Sequence, residues 1–155
     1  MVFLTPSCSD DDDNGNGDNN GSSNGANIGT FQATVSGDLE EEIEGIAYYE
    51  TVDGDLAITL FVSFNEWPFI TFLFNPPVTE RTYTVIGTGM GQDDNETNAS
   101  ASNGNFFFFG DGGSVTITSV NNDVINGTFD VDFEYSDPQE TVNININGSF
   151  SAEED

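Results

Sequence analysis

The side chains best able to do chemistry in this chain are carboxylates: 28 Asp and Glu stand against a single basic residue, Arg81, with no lysine and no histidine. Alternate residues of a strand share a face and lie roughly 6.5 to 7 Å apart. Asp130 with Asp132, and Glu40 with Glu42 and Glu44, would therefore form carboxylate rows. That spacing suits glycoside hydrolysis, but a catalytic pair needs contrasting environments, and polar residues alternating with apolar ones face water. The rows read as solvated. Hard oxygen donors also suit calcium. Asp93, Asp94 and Glu96, with Asn95 between them, are the candidate calcium ligands, and Asp53 with Asp55 forms a smaller group.

Other chemistries fare worse. Nucleophilic and general-base catalysis most often recruits His, Cys or Lys. With Cys8 the only cysteine and no His or Lys, Ser-His-Asp and Cys-His mechanisms and a His/Cys zinc site are excluded. The run Gly87-Thr88-Gly89-Met90-Gly91 lacks the last glycine of a dinucleotide fingerprint, and no helical pattern follows it. The chain reads as non-catalytic, with no catalytic residues to name and no resident cofactor beyond the calcium candidate. Nucleic acid is excluded as a partner because phosphate binding needs Lys and Arg, and a net charge of −27 also disfavours direct docking on an anionic membrane. Self-repulsion on this scale destabilises a compact state at low salt, so adaptation to saline surroundings is expected.

Aromatic side chains are the other candidates. Residues 61–74 (FVSFNEWPFITFLF) and 106–109 (FFFF) are aromatic at both parities of a strand. Some rings must leave a simple one-faced core, to be covered by a neighbouring layer, to line a cavity or to form an exposed patch. Trp67, Phe69, Phe72, Phe74, Phe106 and Phe108 are the candidate ligand-binding set.

The elements that must position these residues are strands. From Thr30 onward apolar residues recur with period two: Phe129, Val131, Phe133 and Tyr135 alternate with Asp130, Asp132 and Glu134, and Val142, Ile144 and Ile146 with Asn143, Asn145 and Asn147. Val115 and Ile117 alternate with Thr116 and Thr118, and earlier strands are predicted over 31–35, 43–49, 56–64, 69–74 and 81–86, with a short one over 106–109. Turns are expected at Asp53-Gly54, Asn75-Pro76-Pro77, Asp111-Gly112-Gly113, Asn121-Asn122 and Asp137-Pro138. Eight or nine short-linked strands predict an all-β antiparallel meander, a lipocalin- or calycin-like barrel or a sandwich.

The domain is placed at residues 30–152, followed by an acidic tail over 153–155. Residues 9–29 are Asp, Asn, Gly and Ser with little to bury, the composition of a flexible tether. Asp10, Asp12, Asn14 and Gly15 imitate half a calcium loop, but Gly21 stands where the bidentate Glu belongs. Residues 1–8 (MVFLTPSC) read as the truncated remnant of a lipoprotein signal ending at Cys8. The sequons at Asn95, Asn98, Asn126 and Asn147 reflect Asn- and Thr-rich composition.

Ser7-Cys8 resembles the lipidation site of bacterial lipoproteins, and the acidic run Asp10 to Asp13 resembles a surface-export signal of Bacteroidetes lipoproteins. Gly113, Val115, Ile117 and Thr118, then Gly127, Thr128 and Phe129, then Gly148, Ser149 and Phe150 are similar to the G-x-V-x-I-T, G-T-F and terminal G-x-F strands of a family of all-β Bacteroidetes lipoproteins. The resemblance implies a fold and an address: an extracytoplasmic domain, anchored to the outer membrane or cell surface through lipid on Cys8. It implies no activity. The leading expectation is a surface domain that binds an extracellular ligand such as a glycan. The alternatives are a self-associating structural or adhesive protein, and a lipocalin-like carrier of a small apolar ligand.

Overall fold

The computed structural model describes residues 29–155 apart from 64–65, 88–92, 105 and 122, and the side chains of 63 and 66–68 also fall outside the description. Cys8, the tether from residue 9 to 28 and its half calcium loop therefore lie outside the described residues. Nine strands are described: β1 (Thr30–Gly37), β2 (Glu41–Val52), β3 (Asp55–Ser63), β4 (Glu66–Phe74), β5 (Arg81–Ile86), β6 (Glu96–Ser102), β7 (Phe107–Asn121), β8 (Val124–Ser136) and β9 (Thr141–Glu154). No helix occurs among the described residues. The strands form one sheet that closes in a ring, in the order β1-β2-β3-β4-β6-β5-β7-β8-β9, with β9 pairing back onto β1. The all-β reading holds.

Alternation builds the interior. Phe129, Val131 and Phe133 of β8, Ile144 and Ile146 of β9, and Phe31, Ala33 and Val35 of β1 are buried, while their neighbours face water. Each large apolar side chain so buried contributes about 1.5 to 3 kcal/mol relative to exposure. Aromatic rings meet at the centre: Phe72 lies 5.3 Å from Phe129 and 6.4 Å from Phe150, and Phe74 lies 4.9 Å from Tyr83.

The structure departs from the expected meander in three places. First, residues 96–102 (ETNASAS) form β6, where no strand was predicted. Its inward residues are Thr97, Ala99 and Ala101, small because they pair with large ones: Ala99 opposes Phe72, and Ala101 opposes both Ile70 and Phe108. Second, β6 pairs with β4 and with the start of β7, so β5 sits beyond it, parallel to β6 through Thr84, Val85 and Ile86 and antiparallel to β7. Third, Asp111-Gly112-Gly113 is not a turn but a bulge within β7, with a register shift between Gly110 and Gly112. Gly113 has φ +95°, and a Cβ there would stand 2.1 Å from the carbonyl oxygen of Asp130.

The Asp53-Gly54 turn forms as expected, with positive φ of 54° and 102° at its two central residues. That is the sign of backbone twist a two-residue hairpin needs. Glu153 and Glu154, read as part of an acidic tail, belong instead to β9 and pair with Tyr48 and Tyr49 of β2.

Candidate functional site

Strand parity sorts the candidate aromatic residues. On β4, Ile70, Phe72 and Phe74 point inward and are fully buried, while Phe69 points out. Trp67 lies in β4, but its side chain is outside the described residues. On β7, Phe108 is fully buried, and Phe106 just before the strand is half-buried, its ring 4.7 Å from that of Tyr135. Phe72, Phe74 and Phe108 are thus core residues, and the candidate set does not converge on one surface.

Two residues outside that set take their place. Phe107 and Phe109 are 47% and 45% exposed, comparable with Phe69 at 39% and Ile46 at 52%. The sequence signal that would have found them is masked by the bulge. Carrying the inward alternation of Val115 and Ile117 back along β7 puts Phe109 and Phe107 inside. One inserted residue reverses the parity, so Gly110 and Phe108 go inside and the odd-numbered phenylalanines face out.

Register then assembles a face. Ile46 of β2 opposes Phe61 of β3, Phe61 opposes Phe69 of β4, Phe69 opposes Ser102 of β6, and Ser102 opposes Phe107 of β7. The next outward row runs Tyr48, Thr59, Thr71, Ser100 and Phe109. Phe61 and Phe69 make an edge contact at 6.4 Å, and Phe107 and Phe109 another at 5.0 Å. Within the second row Thr59 is buried, and the hydroxyl of Thr71 is buried without a hydrogen-bond partner among the described residues.

From β3 to the start of β7 the face carries no acid, while on β2 Glu44 and Glu50 flank Ile46 and Tyr48. In a chain with 28 acids, none falls in residues 56–63, 67–74, 97–102 or 106–110. Acids gather at its edge, where Phe107, Phe109, Asp111, Glu134, Tyr135 and Ser136 line a groove of about 480 Å³. The Tyr135 hydroxyl donates to Asp137 Oδ2 at 2.8 Å, and the Gln139 and Glu140 amides donate to Asp137 Oδ1 at 2.7 and 2.8 Å. The Gln139 amide bond, helped by Tyr135 and Glu140, holds the Asp137 carboxyl below its ordinary range. The bond to Asp137 in turn pushes the Tyr135 phenol up.

The acidic rows are exposed as expected, Asp130 and Asp132 on β8 and Glu42 and Glu44 on β2 leading into Ile46. The Asn145 side-chain amide donates to Asp130 at 2.8 Å and to Asp132 at 3.0 Å, and Thr34 donates to the Glu42 carboxylate. A groove of about 360 Å³ there is lined by polar groups including Gln32, Thr34, Glu42, Thr128 and Asn147. The calcium candidates do not converge: Glu96 Oε2 accepts the Asp93 amide at 2.9 Å, closing a turn. Among the described residues no three His, Cys, Asp or Glu are grouped so as to hold a metal.

Comparison with protein-family models, with curated proteins and with solved structures finds no match to this chain.

Proposed function

We propose that this is a non-catalytic binding domain of the cell exterior, tethered through lipid on Cys8, whose outward aromatic face takes a glycan. The observation that carries the reading is the face itself: Phe69, Phe107 and Phe109 stand exposed amid Thr and Ser, with acids only at the edge, on a chain of net charge −27. Sugar rings present apolar C–H faces and hydroxyl edges. Exposed phenyl rings meet the first, and Tyr48, Ser100 and Ser102 meet the second.

The test is affinity measurement against a panel of soluble oligosaccharides, repeated with Phe69→Ala, Phe107→Ala and Phe109→Ala. A lost stacking partner is worth about 1 kcal/mol, so each variant is expected to weaken binding about fivefold or more, with thermal stability nearly unchanged. Failure of the whole panel to bind, or indifference of binding to all three substitutions, would refute the reading. The same aromatic face supports self-association as a second reading, since there two acidic copies meet with few opposing carboxylates. Sedimentation velocity separates the two: a dimer dissociated by Phe107→Ala, without glycan binding, selects self-association.

A further inference from the structure

The groove at the edge of the aromatic face differs from the face in one respect, and that respect is chemical. Its walls are rings, but Glu134 and Asp111 line it as well. Glu134 is the direct cross-strand neighbour of Phe109, and opposed side chains have Cβ atoms about 4.5 to 5.5 Å apart. A carboxylate therefore stands beside an exposed phenyl ring.

The three outward acids of β8 are not equivalent. Asp130 and Asp132 accept the Asn145 amide, whereas Glu134 has no hydrogen-bond partner among the described residues. Asp111 likewise has none. Nor does the chain supply a cation of its own. Arg81 is held by Thr79 Oγ1 at 2.8 Å and Asn95 Oδ1 at 2.5 Å, over the ring of Tyr83.

We infer that the glycan taken by this face is an amino-sugar polymer with free ammonium groups, and that Glu134 and Asp111 receive an ammonium in the groove. The inference rests on the glycan reading of the face. A pyranose stacked on Phe109 through its C–H face directs its ring substituents sideways, toward the next strand. On β8 that position is Glu134. An ammonium there gains a charge-assisted hydrogen bond and the favourable field of the Phe107 and Phe109 rings. Acidic sugars meet repulsion at the same place, and neutral ones leave the carboxylates unpaired.

The full chain is titrated calorimetrically, at one low ionic strength, with a glucosamine hexamer, its fully N-acetylated counterpart and cellohexaose. The glucosamine hexamer is expected to bind about tenfold more tightly than the other two. A chain of net charge −27 attracts any polycation, so the decisive variant is the double substitution Glu134→Gln with Asp111→Asn, which removes only two of its charges. Both residues are exposed, and the variant is expected to fold and to bind all three hexamers alike, at the affinity of the neutral ones. Equal binding of the three hexamers to the unaltered chain overturns the inference while leaving the glycan reading in place. A preference that persists in the double variant overturns it too, since diffuse attraction would then suffice. No binding by any of the three overturns both.

Discussion

Opposite sides of the ring solve the same interior problem and present opposite exteriors. On β8, β1 and the first half of β9 alternate residues are buried, Ser149 to Ala152 of β9 being buried in succession, and the outward residues are carboxylates, amides and hydroxyls, with Asn145 set between Asp130 and Asp132. On β3, β4, β6 and the start of β7 the inward residues are equally buried, yet the outward ones include Phe61, Phe69, Phe107 and Phe109, with acids only at strand ends such as Asp55 and Glu96. Folding does not require the difference, because the acidic side shows that polar residues serve outward positions of this sheet well. Exposed rings on such a chain add nothing to solubility. They are intelligible as a surface meant to be covered, which is the physical ground for the proposal that the binding face lies there.

β7 belongs to both sides and changes from one to the other at its bulge. Breaking the bulge should therefore have the largest effect. Gly113→Ala forces a side chain onto φ +95° and drives Cβ against the Asp130 carbonyl, whereas at Gly112 the nearest atom to a new Cβ is the Asp132 carboxylate at 3.7 Å. Urea unfolding is expected to show Gly113→Ala destabilised by about 3 kcal/mol or more, and Gly112→Ala by less than about 1 kcal/mol. Equal effects at the two positions would mean that the bulge does not hold the parity of Phe107 and Phe109.

The acidic side was readable in advance because its strands alternate strictly: Asp130, Asp132 and the asparagines of β9 face water as their spacing demands. The aromatic side was not, for two physical reasons. β6 pairs alanines with the rings of Phe72 and Phe108, so a strand chosen for small volume shows no hydrophobic signal. The run Phe106 to Phe109 carries apolar residues at both parities, and a bulge downstream, with glycines that mimic a turn, decides which rings go out. Phe69 could be picked as a surface aromatic from sequence; Phe107 and Phe109 could not. Phe72, Phe74 and Phe108 share their residue type with the site and their burial with the core.

A second prediction turns on charge. Repulsion among exposed carboxylates is concentrated on the acidic side and is screened as the Debye length falls from about 8 Å at physiological salt to about 3 Å at 1 M. The melting temperature is expected to rise by about 5 °C between low salt and 1 M NaCl. Replacing Asp130 and Asp132 together by Asn should flatten that rise, while Phe69→Ser should leave it unaltered. A flat melting temperature in the unaltered chain would remove the case for salt adaptation, and equal flattening by both variants would erase the electrostatic contrast between the sides.

The smallest effect is expected where the two sides meet at the β8–β9 hairpin. Asp137 is held below the ordinary carboxylate range, first by the Gln139 amide and then by Tyr135 and the Glu140 amide. Because its folded-state pKa is depressed, its contribution is fully present above the unfolded value and is lost as pH falls through the folded one. Tyr135 runs the other way. Its phenol is pushed above the ordinary tyrosine range, chiefly by the bond to Asp137, so its contribution is present below the unfolded value and is lost as pH rises through the folded one. The hairpin is therefore expected to be tightest between these limits, with Tyr135 ring resonances shifting on acidification below the usual carboxylate range. Asp137→Asn should abolish the acid-side shift and leave Phe107 and Phe109 undisturbed. A shift that survives in Asp137→Asn would show that the Asp137 carboxylate is not its source and would remove the hairpin from the comparison.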